Sequence, residues 1–227
     1  MIQVFAGMRF LDLEPDYLRR PSLPGQVSLG DKGQNLSSVL QRICEDDSKK
    51  QTLLSWLKEL TPMDATDFAF PSDLNGRVLV QLVEANGNRV SANSASQGTL
   101  RFLAMLAALL GPEPASLYFF EELENGIHPT RLALLLQLIE QQVRSKDIQF
   151  VATTHSPQLL GLVSAQTLPH ASLIYRLPGQ ASARITPLLE IPDVRRVLEK
   201  QDFGRLMSSG FLEDAVYLTE PEEASAK

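Results

Sequence analysis

Apolar positions along the chain switch between two periods, and the switches mark out the predicted elements. Leu36, Val39, Leu40 and Ile43 recur at helical spacing, with Asn35 placed to cap the first turn. A second helix is predicted from a cap at Ser48 through Leu53, Leu54, Trp56, Leu57 and Leu60, and Pro62 ends it. Residues 77–84, RVLVQLVE, read as a strand, and Asn86-Gly87 is a hairpin signal leading into a return strand at 88–91. Residues 97–110 form an apolar helix stopped by Gly111 and Pro112. Residues 117–120 and 148–152 are short apolar runs of the kind found in buried parallel strands. Between them a helix is predicted over 129–144, with Pro129 in its first turn. Weaker strands at 172–176 and 184–189 flank Pro178-Gly179, and short helices are predicted near 194–199 and 204–208. Residues 11–32 hold Pro15, Pro21, Pro24, Gly25 and Gly30 with no sustained period, and read as loop.

The order in the middle is strand, helix, strand, helix, strand. It implies right-handed crossovers in a mainly parallel sheet with helices on its faces, an α/β fold. Ligands in such sheets bind beyond the carboxyl ends of the strands. Three segments with chemistry in them fall at such ends or at a helix start.

The first is LYFFEELENGIHP, residues 117–129. Glu121 and Glu122 emerge at the tip of a buried strand and, as strand neighbours, point to opposite sides. One can face a metal ion and the other a water, the two tasks that phosphoanhydride hydrolysis sets. Two acids after a strand equally suit a solvated loop. The second is Ser94 to Arg101 at the start of the apolar helix. Ser and Gly there expose backbone N–H groups at the positive end of the helix dipole, a natural anion site. Ser96 equally suits a plain N-cap. The third is FVATTHSP, where His155 stands past a buried strand and can reach a phosphate or a polarised water. It equally suits a loop histidine satisfied by its neighbours.

Composition narrows the partners. Of 227 residues, 21 are Lys or Arg and 27 are Asp or Glu, a formal net charge of −6, which argues against a globally basic nucleic-acid surface. The lone cysteine, Cys44, excludes an intrachain disulfide and a cysteine-based zinc site. The N-terminus lacks the features of a signal peptide, and the longest apolar stretch, residues 102–110, is far short of the roughly 20 residues of a membrane span. The expected location is cytoplasmic.

Taken in order and spacing, the three segments resemble the signature loop, the Walker B strand with its D-loop, and the H-loop of ABC/SMC-like ATPases. Among these the chain is most similar to prokaryotic AAA-type ATPases of the AAA15 or OLD-like group. The resemblance runs from about Gly30 to about Glu213 and takes in GDKGQNLSSVL and DFGRLMSSGFLE. It implies a P-loop NTPase fold with a helical insert. The expected organisation is a loop-rich segment over 1–32, an ATPase portion over 33–213 (a helical subdomain at 33–76 and a core at 77–213) and a polar tail at 214–227.

By this resemblance Glu121 engages Mg2+ and Glu122 polarises the attacking water. Glu124, Asn125, Gly126, Ile127 and His128 fall on the D-loop, which touches a partner protomer. Ser96, Gln97 and Gly98 match the signature that contacts ATP bound to the other subunit, and His155 matches the switch histidine that senses the γ-phosphate. Leu123 stands where the family usually has proline, which predicts a slightly looser turn. The sequence contains no G-x-x-x-x-G-K-[ST], the cradle for the nucleotide phosphates. The chain therefore reads as the C-terminal portion of such an ATPase. Its P-loop is expected from a preceding lobe or another subunit, in a homodimer or with a P-loop-bearing partner. Two other readings stay open: a nucleotide-independent regulatory or interaction module on a degenerate ATPase fold, and a metal-dependent hydrolase using Glu121, Glu122, Glu124 and His128.

Overall fold

A computed structural model describes residues 7–145, 148–177, 180–191 and 194. The element order is β1 (Met8–Leu11), α1 (Pro15–Leu18), α2 (Leu36–Cys44), α3 (Asp47–Leu60), β2 (Ala65–Ala69), β3 (Gln81–Glu84), β4 (Arg89–Ser91), α4 (Gln97–Leu110), β5 (Leu117–Phe120), α5 (Pro129–Ser145), β6 (Gln149–Ala152), α6 (Pro157–Leu162), β7 (Ser172–Tyr175) and β8 (Arg184–Pro187). The chain divides into two units, Met1–Thr154 and His155–Lys227.

The first unit is organised around α4. Its sequence is apolar on every side, so it is a buried central helix and not a surface one. Every residue from Thr99 to Leu109 is buried. Helix α2 buries Leu36, Val39, Leu40 and Ile43, the predicted stripe, and α3 buries Leu53, Leu54, Leu57 and Leu60. The caps differ from the expectation. Asp46, not Ser48, caps α3, its carboxylate accepting from the amides of Ser48 and Lys49. Asn35 stands at the start of α2 but does not cap it. Its side chain ties down the preceding loop, donating to the Ser28 carbonyl and Gln26 Oε1 and accepting from the Gly30 amide. Cys44 is half-buried, and burial pushes its thiol pKa up to about 12.

The parallel sheet has the order β1-β5-β6, with Leu11 beside Phe120 and Phe120 beside Ala152 at the carboxyl ends. Its first strand is β1, which the sequence reading left unassigned. The predicted strand at 77–84 is shorter, Gln81–Glu84, and belongs to a separate antiparallel sheet, β2-β3-β4, turned at Asn86-Gly87. Residues 11–32, expected as loop, include the short helix α1.

Both crossovers of the parallel sheet advance in the same direction, so the right-handed rule puts α4 and α5 on one face. On that face the Tyr118 hydroxyl donates to the Ala108 carbonyl of α4 (2.6 Å) and accepts from the Ala115 amide. Phe120 stacks on Phe150. The opposite face is apolar and open: Phe10 is 61% exposed and Val151 46%, with Phe119 stacked on Phe10.

In the second unit, Ser156 caps α6 by accepting from the Leu159 amide, and β7 and β8 form a hairpin. Leu188, Ile191 and Val194 form its core, with Leu160, Leu168 and Leu173 packed against them. The predicted helix at 204–208, all of 194–199 beyond Val194, and the tail lie outside the described residues. No helix among the described residues is long and apolar enough to cross a membrane.

Candidate functional site

The carboxyl end of β5 and the start of α4 meet backbone to backbone. A Cβ on Gly98 would lie 2.0 Å from the Gly126 carbonyl oxygen, and one on Gly126 would lie 3.4 Å from the Gly98 Cα. Gly126 also has φ +74°, a left-handed backbone that glycine enters without steric cost. Two glycines are therefore what allows the 96–98 segment and the 121–128 loop to share one surface.

The loop is a sequence of tight turns. Thr153, just past β6, donates its amide to the Phe120 carbonyl (3.0 Å) and accepts from the Leu123 amide (3.1 Å). Its hydroxyl accepts from the Glu122 amide (3.1 Å). The Asn125 amide donates to the Glu122 carbonyl, and Ile127 to that of Glu124. Glu122 has φ +46°, the only non-glycine residue with positive φ among those described. Such a backbone is uncommon for glutamate and persists only where neighbours over-determine it.

Within this frame Glu121 and Glu122 are both exposed at the strand tip. The Glu122 carboxylate accepts from Asn125 Nδ2 at 3.2 Å, so Asn125 helps aim it. Leu123, where a proline was expected from the resemblance, is built into the turn. It is 2% exposed, and its N–H makes a bond that a proline would lack. His128 sits at the start of α5, where Nδ1 meets the Thr130 hydroxyl (2.9 Å) and accepts from the Thr130 amide. The Ser96 hydroxyl accepts from the Thr99 amide (3.1 Å) and pairs with the Thr99 hydroxyl, so this side chain caps α4. Gln97 is exposed beside it. His155 is exposed and opens the second unit. The first unit thus brings together Ser96, Gln97, Gly98, Glu121, Glu122, Asn125, Gly126 and His128.

Sequence reasoning missed Arg101. It is 7% exposed in the middle of the site, and its guanidinium donates to three backbone carbonyls, those of Leu13, Glu121 and Glu122. The signal was present: it is the one charged residue in an otherwise apolar helix. Arg19 braces the same region by donating to the Ala95 carbonyl.

Among the described residues no three His, Cys, Asp or Glu side chains gather as a metal cage. The hydrolase reading based on Glu121, Glu122, Glu124 and His128 gains no support from such a cage. A single exposed carboxylate fits magnesium, which keeps waters and takes phosphate oxygens for most of its shell.

No curated protein sequence matches the chain. Solved structures similar to it include an SmcHead bound to the C-terminal winged-helix domain of ScpA, 12% identical, with TM-score 0.52, covering 84% of this chain and 57% of that one. A structure from work on ATP-driven dimerization and DNA-stimulated activation of SMC ATPases is 12% identical, with TM-score 0.47, covering 71% of this chain and 94% of that one. An Smc head domain with coiled coil and joint from Pyrococcus yayanosii is 14% identical, with TM-score 0.47, covering 78% of this chain and 29% of that one. The fold is therefore that of SMC ATPase heads, a P-loop NTPase fold with a parallel sheet flanked by helices. Residues 9–161 match a family model, and the chain belongs to that family, described as AAA domain, putative AbiEii toxin, Type IV TA system.

Proposed function

We propose that this chain is the signature and acidic-tip portion of an ABC/SMC-like ATP-hydrolysing module. The observation that carries the reading is the Gly98–Gly126 contact, which puts the start of α4 and the two acids on one surface at the carboxyl end of the sheet. Glu122, aimed by Asn125, takes the proton from the attacking water. Glu121 holds magnesium, which supplies charge neutralisation on the phosphates when bound. Ser96, Gln97 and Gly98 present the positive end of α4 to nucleotide bound in another protomer. With Ser96 Oγ occupied as a cap, the backbone of this segment is the part offered to phosphate. His155 contacts the γ-phosphate. Asn125, Gly126 and His128 lie at the protomer boundary.

Because the sequence lacks a P-loop motif, the phosphates are held chiefly by a P-loop on another subunit or a preceding lobe. The open apolar face around Phe10 and Phe119 supports association, with a homodimer as the simplest assembly. Calorimetric titration of the isolated chain with Mg-ATP tests the reading. Millimolar or weaker affinity with no turnover is expected, and sub-micromolar affinity contradicts it. Light scattering at micromolar concentration is expected to show a dimer or larger species, and a strict monomer counts against the shared site.

A further inference from the structure

Arg101 stands where an apolar side chain would serve packing better. Its neighbours Leu100 and Phe102 are fully buried, and burial lowers its pKa against the opposing pull of Asp12, Glu122 and Glu124. Its Nε is buried without an acceptor among the described residues. A desolvated cation is a poor way to fill a core. What arginine does here, and leucine or methionine could not, is reach three carbonyls at two strand ends: Leu13 O at 2.9 Å past β1, and Glu121 O at 3.3 Å and Glu122 O at 3.2 Å past β5.

Two of those carbonyls, of Glu121 and Glu122, flank the strained residue. The Glu122 amide is fixed by Thr153 Oγ1, and its carbonyl by the Asn125 amide and Arg101. Without the guanidinium one side of this clamp opens. With the Asn125 amide as the carbonyl's remaining donor, Glu122 is held less firmly at φ +46°, and relaxation to negative φ would swing its carboxylate away from Asn125 Nδ2.

We propose that Arg101 is a positioning residue that holds Glu122 in its left-handed turn, so that the start of α4 sets the direction of the acid at the tip of β5. The functional consequence rests on Glu122 being the acid that acts on water; the backbone clamp does not.

Amide hydrogen exchange on the full chain separates the two. In Arg101→Met the Leu123 and Asn125 amides are expected to exchange at least about tenfold faster, while residues 103–109 of α4 keep their protection. Adding Glu122→Asn, which enters left-handed backbone more readily, is expected to restore much of the tip's protection. A side chain that merely fills space predicts an unchanged tip, or loosening of the whole unit with no rescue, and either result overturns the proposal. Should Arg101→Met fail to fold, Arg101→Lys keeps the charge but cannot span all three carbonyls. Its tip is expected to exchange at least about threefold faster, and parental exchange overturns the proposal. In an assembly that includes a P-loop, Arg101→Lys is expected to lower kcat with KM for ATP unchanged; a raised KM at full kcat overturns it. If Glu122→Gln turns over at the parental rate, the reading of Glu122 falls while the exchange result still decides Arg101.

Discussion

The two sheets of the first unit use strands of similar length and do different work. The antiparallel sheet β2-β3-β4 is more local: β3 and β4 are joined by Asn86-Gly87, and β2 precedes β3 by residues 70–80. The parallel sheet gathers β1, β5 and β6 across a long insert, and its carboxyl ends carry the acids, Thr153 and the three carbonyls that Arg101 holds. Closing the long loop costs more chain entropy, and β1 must find β5 over more than a hundred residues. The return is a place where backbone from distant segments converges, which a hairpin cannot provide. The candidate site sits where the contacts are least local.

Substitutions on either side sharpen that contrast. The largest effect is expected at Phe120, 3% exposed at the tip of β5 and stacked on Phe150. Phe120→Ala is expected to cost about 3–5 kcal/mol in denaturant unfolding. A loss below about 1 kcal/mol would mean that the parallel sheet is not the unit's structural centre.

Next come two glycines of opposite kinds. Gly98→Ala drives a methyl into the Gly126 carbonyl and is expected to cost about 2–3 kcal/mol, with exchange at residues 121–128 accelerated. Gly87→Ala meets nothing within 4 Å and suffers only its φ of +82°, about 1 kcal/mol, with the acidic loop undisturbed. Equal costs with equal effects on the loop would erase the distinction between the regions.

The smallest effect belongs to Lys50 and Asp67, which join α3 to β2. The Lys50 ammonium holds the Asp67 carboxyl below its ordinary range. A carboxyl depressed in the folded state stabilises above its unfolded pKa, and that stability is lost as pH falls through the folded value. Asp67 is half exposed, so the effect is about 1 kcal/mol or less. Asp67→Asn is expected to flatten the acid limb of the stability curve below pH 4 by that amount; an unchanged acid limb removes the pair from the account.

How far the sequence disclosed this arrangement follows the same division. The hairpin was legible because Asn-Gly is a local signal, and α4 and β5 because long or fully apolar runs bounded by Gly, Pro and acids have few alternatives. Strand β6 was legible in position, but it is mostly exposed where a buried strand was expected, as an edge strand of the parallel sheet. Strand β1 was not, since MRFL is short, contains Arg9, and is a strand only by virtue of β5. In β2, ATDFA, two polar residues hide the alternation, and a register shift breaks it further. The cap of α3 was misplaced by two residues because Asp46, Asp47 and Ser48 are all cap-forming types, and only the fold selects among them. At the site, the acids and the glycines were visible as motifs. The contact between Gly98 and Gly126, the left-handed Glu122 and the role of Thr153 depend on segments far apart in sequence. Arg101 was visible as an anomaly, a cation in an apolar helix, without its partners.

The central claim is that Glu122 acts on water while other groups hold the nucleotide. Turnover and Mg-ATP affinity, measured side by side for the parent and Glu122→Gln in an assembly that includes the P-loop, test it most directly. The substitution keeps size and hydrogen bonding and removes the charge. A general base contributes about 10²–10⁴-fold to rate, so hydrolysis is expected to fall by that factor with Mg-ATP affinity unchanged. A Glu122→Gln protein that hydrolyses ATP at the parental rate would contradict the account.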